Sequence, residues 1–180
     1  MSVTAKILLF TLALPGSLVG FVPWLILRRQ RPPHGPMLAE YGSLGLLLMV
    51  VGLVGYVWCA VEFGARGRGT PAPFDPPKEL VRTGLYRHLR NPMFTAVVCL
   101  LFGEAILWRS TSVALYATCM ALGFHLRVVL FEEPRLRRRF GATFDAYCRD
   151  VPRWLPRPAT FRSPPASRLG SAPGSRPTSE

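Results

Sequence analysis

Three places in this chain carry side chains whose types and spacing suit chemistry. His125 and Glu132 stand seven positions apart, two helical turns, so a helix there sets both on one face, with Arg127 between them in sequence. Such a group can take up a proton, accept an amine and hold an anion. The second place is GLYRHLRNPMF, Gly84 to Phe94, where Arg87, His88, Arg90 and Asn91 precede Pro92 and an apolar run begins at once behind it. Pro suits the first position of a helix, and first-turn amides with no helical partner face anionic groups well. The third is Glu104, an ionisable residue inside an apolar run, where a functional role is the default reading and a structural hydrogen bond the competing one. For Glu132 and its neighbour Glu133 the competing reading is simple pairing with nearby arginines.

The elements that must position these residues are membrane helices. The chain has 180 residues, 49% of them hydrophobic and only 18% charged, with a mean hydropathy of +0.25. About 20 apolar residues cross a bilayer core. Val3 to Leu27, Met37 to Val61, Pro92 to Trp108 and Thr111 to Phe131 qualify or come close. The expected fold is therefore all-α: a polytopic membrane protein with about four transmembrane helices, the last two a hairpin turning at Arg109-Ser110-Thr111. The apolar part of the first run exceeds the roughly 7–15 residues of a secretory signal and lacks a small-residue cleavage site, so it reads as a retained helix. Cys59, Cys99 and Cys119 lie in apolar runs, Cys148 stands alone, and no CxxC pair occurs, which argues against disulfides and metal.

The net charge of +12 follows the same topology. With both termini cytoplasmic, Arg66, Arg68, Lys78, Arg82, Arg87 and Arg90 fall in one cytoplasmic loop and Arg135, Arg137, Arg138 and Arg139 in a cytoplasmic tail, against Arg28, Arg29, Arg31 and Arg109 outside. Membrane retention and anionic lipid account for this charge without nucleic acid. Pro134 predicts a break at Glu132-Glu133 and then one amphipathic cytoplasmic helix, with Leu136, Phe140, Phe144, Tyr147 and Val151 on its apolar face, ending near Val151-Pro152. Residues 159–180, rich in Pro, Ser, Arg and Gly, predict a disordered tail, leaving one membrane domain over residues 1–158.

GLYRHLRNPMF, an apolar hairpin, a Glu-Glu pair and then FGATFDAYCRDVPRWLP together resemble the catalytic half of the isoprenylcysteine carboxyl methyltransferase family, over about residues 75–157. The resemblance implies a bacterial-type membrane enzyme of the inner membrane using S-adenosyl-L-methionine. It implies cofactor contacts at Lys78, Glu79, Leu80 and Val81, at Tyr86, at Asn91, Pro92, Met93 and Phe94, and at Glu132. Asn91 and Phe94 stand where the family often has His and Tyr, replacing a ring nitrogen with an amide and removing a phenol. The acceptor it implies is the carboxylate of a lipophilic or prenylated substrate, and Arg87, Arg90 or Arg127 are the candidates to hold a carboxylate through paired bonds. An amine or thiol acceptor requires a base, and His125 and Glu104 are the candidates. Two other readings stay open: an NADPH-dependent membrane reductase related to sterol reductases, and a non-catalytic protein on the same scaffold.

Overall fold

A computed structural model describes residues 15–30, 41–66 and 82–156, with side chains 63–66 left aside. The described residues are helical and contain no strand. A wide π-turn, Ser17–Phe21, leads into helix α1 (Val22–Arg29). Helix α2 spans Gly42–Arg66, a 3-10 turn Gly84–Arg87 precedes α3 (Pro92–Leu107), and α4 spans Thr111–Arg127. A second π-turn, Val128–Glu132, joins α4 to α5 (Glu133–Phe140), and α6 spans Ala142–Asp150.

Helices α2 and α3 share the most extensive interface, and α3 also packs on α4. The α2–α3 seam is built on small residues, which let two backbones approach closely where no water drives the helices together. A Cβ placed on Gly45 would lie 2.8 Å from the carbonyl oxygen of Gly103, and one on Gly52 would lie 2.7 Å from that of Ala96. Gly45 and Gly52 thus meet Gly103 and Ala96 in reversed order, so the two helices are antiparallel. Tyr56, Ala96, Val97, Leu101 and Ala117 form the buried core of this layer.

Pro92 occupies the first turn of α3, as its sequence position predicts. At the other end Arg109 adopts a positive φ of 48°, and Ser110 caps α4 by accepting from the Val113 amide. Ser110 also donates to Gln30 and Tyr116 to the Leu18 carbonyl, tying the first described segment to α4.

Two stretches, Gly42–Glu62 and Thr111–Phe140, are long and apolar enough to cross a membrane, while Pro92–Leu107 is shorter. Only 22% and 17% of their most apolar windows are buried within the protein, leaving bands such as Leu46, Val50, Leu53, Val57 and Leu115, Leu122, Leu126, Leu130 exposed. Helices of a water-soluble core would bury those bands. The described residues establish two candidate spans where the sequence predicts four; most of the first run lies outside them, as do the long loop and residues 159–180.

The expected break at Glu132-Glu133 does not occur. Pro134 cannot donate to the carbonyl four residues earlier, and its ring would strike that group. The wide turn Val128–Glu132 opens the ladder there, and the helix continues from Thr111 to Phe140. The single amphipathic helix is likewise two helices, turned at Gly141, whose φ is +51°. Phe144, Tyr147 and Val151 still form one buried cluster, with Leu136, Phe140 and Cys148 packed against it across the corner.

Candidate functional site

The polar end of the bundle begins at Gly84. Its φ of +56° starts the 3-10 turn, and a Cβ there would lie 3.2 Å from the Glu62 carboxyl and 3.3 Å from Trp58 Nε1. Glycine answers both demands. Thr83 donates its hydroxyl to Glu62, which pins the loop to the end of α2.

From Tyr86 onward the loop is held by the chain's last described segment. Tyr147 donates to the Tyr86 carbonyl at 2.6 Å, the Arg90 amide to the Pro152 carbonyl at 2.9 Å, and the Asn91 side-chain amide to the Arg153 carbonyl at 3.2 Å. Burial lifts the Tyr147 and Tyr86 phenols above their ordinary range, so both remain donors at neutral pH. Trp154 Nε1 donates to His125 Nδ1 at 3.1 Å. This bond requires Nδ1 to be bare, so a neutral His125 carries its proton on Nε2.

The two adjacent glutamates have opposite surroundings. Glu133 receives Arg153 through two bonds, 2.7 and 2.9 Å, and Arg90 through a third at 3.0 Å, with its side chain only 12% exposed. Arg90 also reaches Cys148 Sγ at 2.8 Å. Burial raises the Cys148 thiol, which keeps this a contact to a neutral sulfur. Glu132, next in the chain, has a buried Oε2 with no hydrogen-bond partner among the described residues. Arg127, Arg135 and Tyr86 lie within electrostatic reach of it. A buried carboxylate oxygen left open is costly and is what an ammonium group satisfies.

Arg127 sits with its guanidinium 5.9 Å from the Phe94 ring centre, and Phe94 stacks on Phe124 at 4.8 Å. Loop, α3, α4 and the π-turn thus bring Tyr86, Phe94, Arg127 and Glu132 to one end. An amino-acid moiety next to a flat aromatic base fits this set: Glu132 for the ammonium, Arg127 for a carboxylate, Phe94 for stacking. Asn91 is buried and turned to Arg153, Pro92 is buried, and Met93 packs against the α2–α3–α4 core. Their backbone frames the site while these side chains support it.

Other predicted residues part from this group. The wide turn between His125 and Glu132 breaks the two-turn register that would stack them, and His125 faces Trp154 instead. Glu104 lies twelve residues along α3 from Pro92, about 18 Å of helix, near the opposite end. One of its carboxyl oxygens is also buried without a partner among the described residues, in electrostatic reach of Tyr116. Lys78, Glu79, Leu80 and Val81 lie outside the described residues. Sequence reasoning gave no site role to Tyr147, Arg153, Trp154 or Phe124, and the run VPRWLP was the one signal for the strap. Among the described residues no three His, Cys, Asp or Glu side chains stand close enough to hold a metal ion.

The profile of a family described as phospholipid methyltransferase matches residues 42–143, from the start of α2 to the start of α6. The chain is 33% identical over 123 residues to the nickel-cobalt-cadmium resistance protein NccN of Alcaligenes xylosoxydans xylosoxydans, covering 67% of this chain and 52% of that protein. It is 30% identical over 129 residues to the cobalt-zinc-cadmium resistance protein CzcN of Cupriavidus metallidurans, covering 71% and 53% respectively. The chain spans about half the length of these curated relatives.

Proposed function

Because the chain belongs to the phospholipid methyltransferase family, we propose that it is an integral membrane methyltransferase that uses S-adenosyl-L-methionine and methylates the carboxylate of a lipophilic substrate. The observation that carries this reading is the contrast at Glu132 and Glu133: one carboxylate is saturated by two arginines, the other has a buried oxygen with no hydrogen-bond partner among the described residues. Bound there, the sulfonium cofactor supplies an electrophilic methyl group, and a carboxylate acceptor, already ionised near pH 7, needs no general base. Glu132 holds the ammonium, Phe94 supports the adenine, and Arg127 binds an acidic group beside them. Alignment and exclusion of water then do most of the work. His125, bonded to Trp154, and Glu104, far along α3, are left without a base role in this chemistry.

Four spans with both termini cytoplasmic complete the reading. Among the described residues Arg82, Arg87, Arg90, Arg135, Arg137, Arg138, Arg139, Arg149 and Arg153 gather at the site's end, against Arg28, Arg29 and Arg109 at the other. An excess of arginine marks the cytoplasmic side of a membrane, here the bacterial inner membrane.

Calorimetric titration of the detergent-purified protein with S-adenosylhomocysteine tests the site, with NADPH as control. Saturable binding is expected for the first and none for the second. Glu132→Gln keeps the shape and removes the charge, so affinity is expected to fall about 10- to 100-fold, the worth of a charged hydrogen bond, with the melting temperature little changed. Unchanged affinity in Glu132→Gln would remove the assignment of this carboxylate, and NADPH binding in place of S-adenosylhomocysteine would transfer the site to a reductase.

A further inference from the structure

We infer that the outer face of α5, set by Arg135, Arg138 and Arg139, is a docking surface for anionic lipid headgroups of the bilayer that holds the protein. The first argument is length. The helix from Thr111 to Phe140 runs unbroken for 30 residues. At 1.5 Å per residue it spans about 45 Å, whereas the hydrocarbon core takes about 30 Å, so its last ten or so residues stand in the headgroup layer. Leu130 and Phe131, 59% and 69% exposed, end the apolar band, and the arginines follow within two turns.

The second argument is the division of faces. Leu136 and Phe140 turn inward against Phe144, Tyr147 and Val151, so the corner is anchored from within. Arg135, Arg137, Arg138 and Arg139 are exposed on the other side. Arg137 donates to Asp145 at 2.8 Å and is neutralised in place. Glu133, the nearest paired acid, is taken by Arg90 and Arg153. What α5 presents outward is therefore three exposed guanidinium groups, that of Arg135 within electrostatic reach of Glu132, and Arg139 lies 5.6 Å from the Phe140 ring, an arrangement that keeps its stem against the apolar corner and its head outward.

The third argument identifies the occupant. Guanidinium binds phosphate through paired bonds, and phosphate is the anion present at that depth on every side of the helix. Near an anionic leaflet each such arginine adds about fivefold to the attraction. A free anion or a nucleic acid would offer the same phosphate without the depth, and a surface built at the membrane level favours the lipid.

The full chain in zwitterionic detergent, titrated with short-chain phosphatidylglycerol and with phosphatidylcholine of the same chain length, tests this by thermophoresis. At least tenfold tighter binding of phosphatidylglycerol is expected, weakening as salt rises. The triple variant Arg135→Gln, Arg138→Gln, Arg139→Gln is expected to lose that preference, and the matching triple Arg→Lys variant to keep most of it, with circular dichroism showing the helices intact in both. Arg28→Gln with Arg29→Gln, at the other end, is expected to change nothing. Equal binding of the two lipids, a preference that survives the triple Gln variant, or tighter binding of inorganic phosphate or duplex DNA than of phosphatidylglycerol would each overturn the inference. These readouts do not involve S-adenosylhomocysteine, so the inference stands or falls separately from the methyltransferase reading.

Discussion

The α2–α3 seam and the strapped polar corner are held by opposite means. In the seam, glycines at 45, 52 and 103 bring backbones together, with hardly any polar side chain and little sequence information beyond small size. In the corner, Tyr147, Pro152, Arg153 and Trp154 reach back to Tyr86, Arg90, Asn91 and His125 through side-chain and backbone hydrogen bonds. The seam tolerates changes of polarity poorly matched to any one atom but no added volume. The corner tolerates volume at its rim but no lost partner. Under the proposed methyltransferase reading that division serves a water-soluble cofactor, because the seam would fix the scaffold in lipid while the corner fixes loop geometry at the surface.

The largest effect is expected where the corner's bonds converge. Glu133→Ala leaves Arg90 and Arg153 without their shared carboxylate in a part-buried site, and breaking such a pair commonly costs 3–5 kcal/mol. The Glu133 and Arg90 side chains are 12% and 13% exposed, but Arg153 is 32% exposed and recovers some hydration. A loss of about 3 kcal/mol is expected in detergent unfolding, and Glu133→Gln should recover part of it. A loss as small as that of an exposed pair would show that the corner rests on packing alone. Next comes Gly103→Val in the seam, where a Cβ would lie 2.6 Å from Met49 Cγ and 2.7 Å from the Gly45 carbonyl. The Met49 side chain can move, the backbone carbonyl cannot, and overpacking of about 2 kcal/mol is expected in the same assay. Gly123→Val, at a position where a Cβ meets nothing within 4 Å, is the matched control expected to cost much less. Equal melting of the two glycine variants would show that the seam does not depend on the absence of side-chain volume.

Much of this was legible in the sequence, for different reasons in the two regions. Hydropathy alone located α2, α3 and α4, because long apolar runs have few other uses, and Pro92 marked the start of α3, whereas the cap that Ser110 gives α4 emerged only from the structure. The loop and the Glu132-Glu133 pair were visible as chemistry. What the sequence hid was the assignment of partners. Nothing local says that Arg153, 20 positions on, takes Glu133 rather than Glu132, since the choice depends on the wide turn Val128–Glu132, which sets the two carboxylates' directions. Pro134 was correctly noticed and wrongly resolved: a proline can stop a helix or widen it, and the packed corner beyond decides which. Gly141 failed in the same way, because the apolar spacing from Leu136 to Val151 is satisfied equally by one helix or by two meeting at a corner. Glu104 shows a different limit, since its residue type suits chemistry while only the structure tells that it lies about 12 residues along α3 from Pro92, apart from the group at Phe94.

The finest test of the comparison is Tyr147→Phe. The phenol is buried and donates at 2.6 Å to the Tyr86 carbonyl, one of the few bonds by which α6 holds the loop directly. The variant keeps the ring in its cluster with Phe144 and Val151 and deletes only the donor, leaving a carbonyl short of a partner. About 1 kcal/mol of stability is expected to be lost, against less than about 0.5 for Asp145→Asn, whose partnership with Arg137 is solvent-exposed. Because burial raises the Tyr147 phenol above its ordinary range, the hydroxyl stays protonated throughout neutral conditions, and the bond's contribution is lost only as pH climbs through that raised value. The gap between wild type and variant is therefore expected to be the same at pH 6 and pH 9. S-adenosylhomocysteine affinity should fall a few-fold alongside, since Tyr86 loses its tether while Glu132 is untouched. A stability loss with no change in affinity would mean that the strap supports the fold of the corner without setting the loop proposed to face the cofactor.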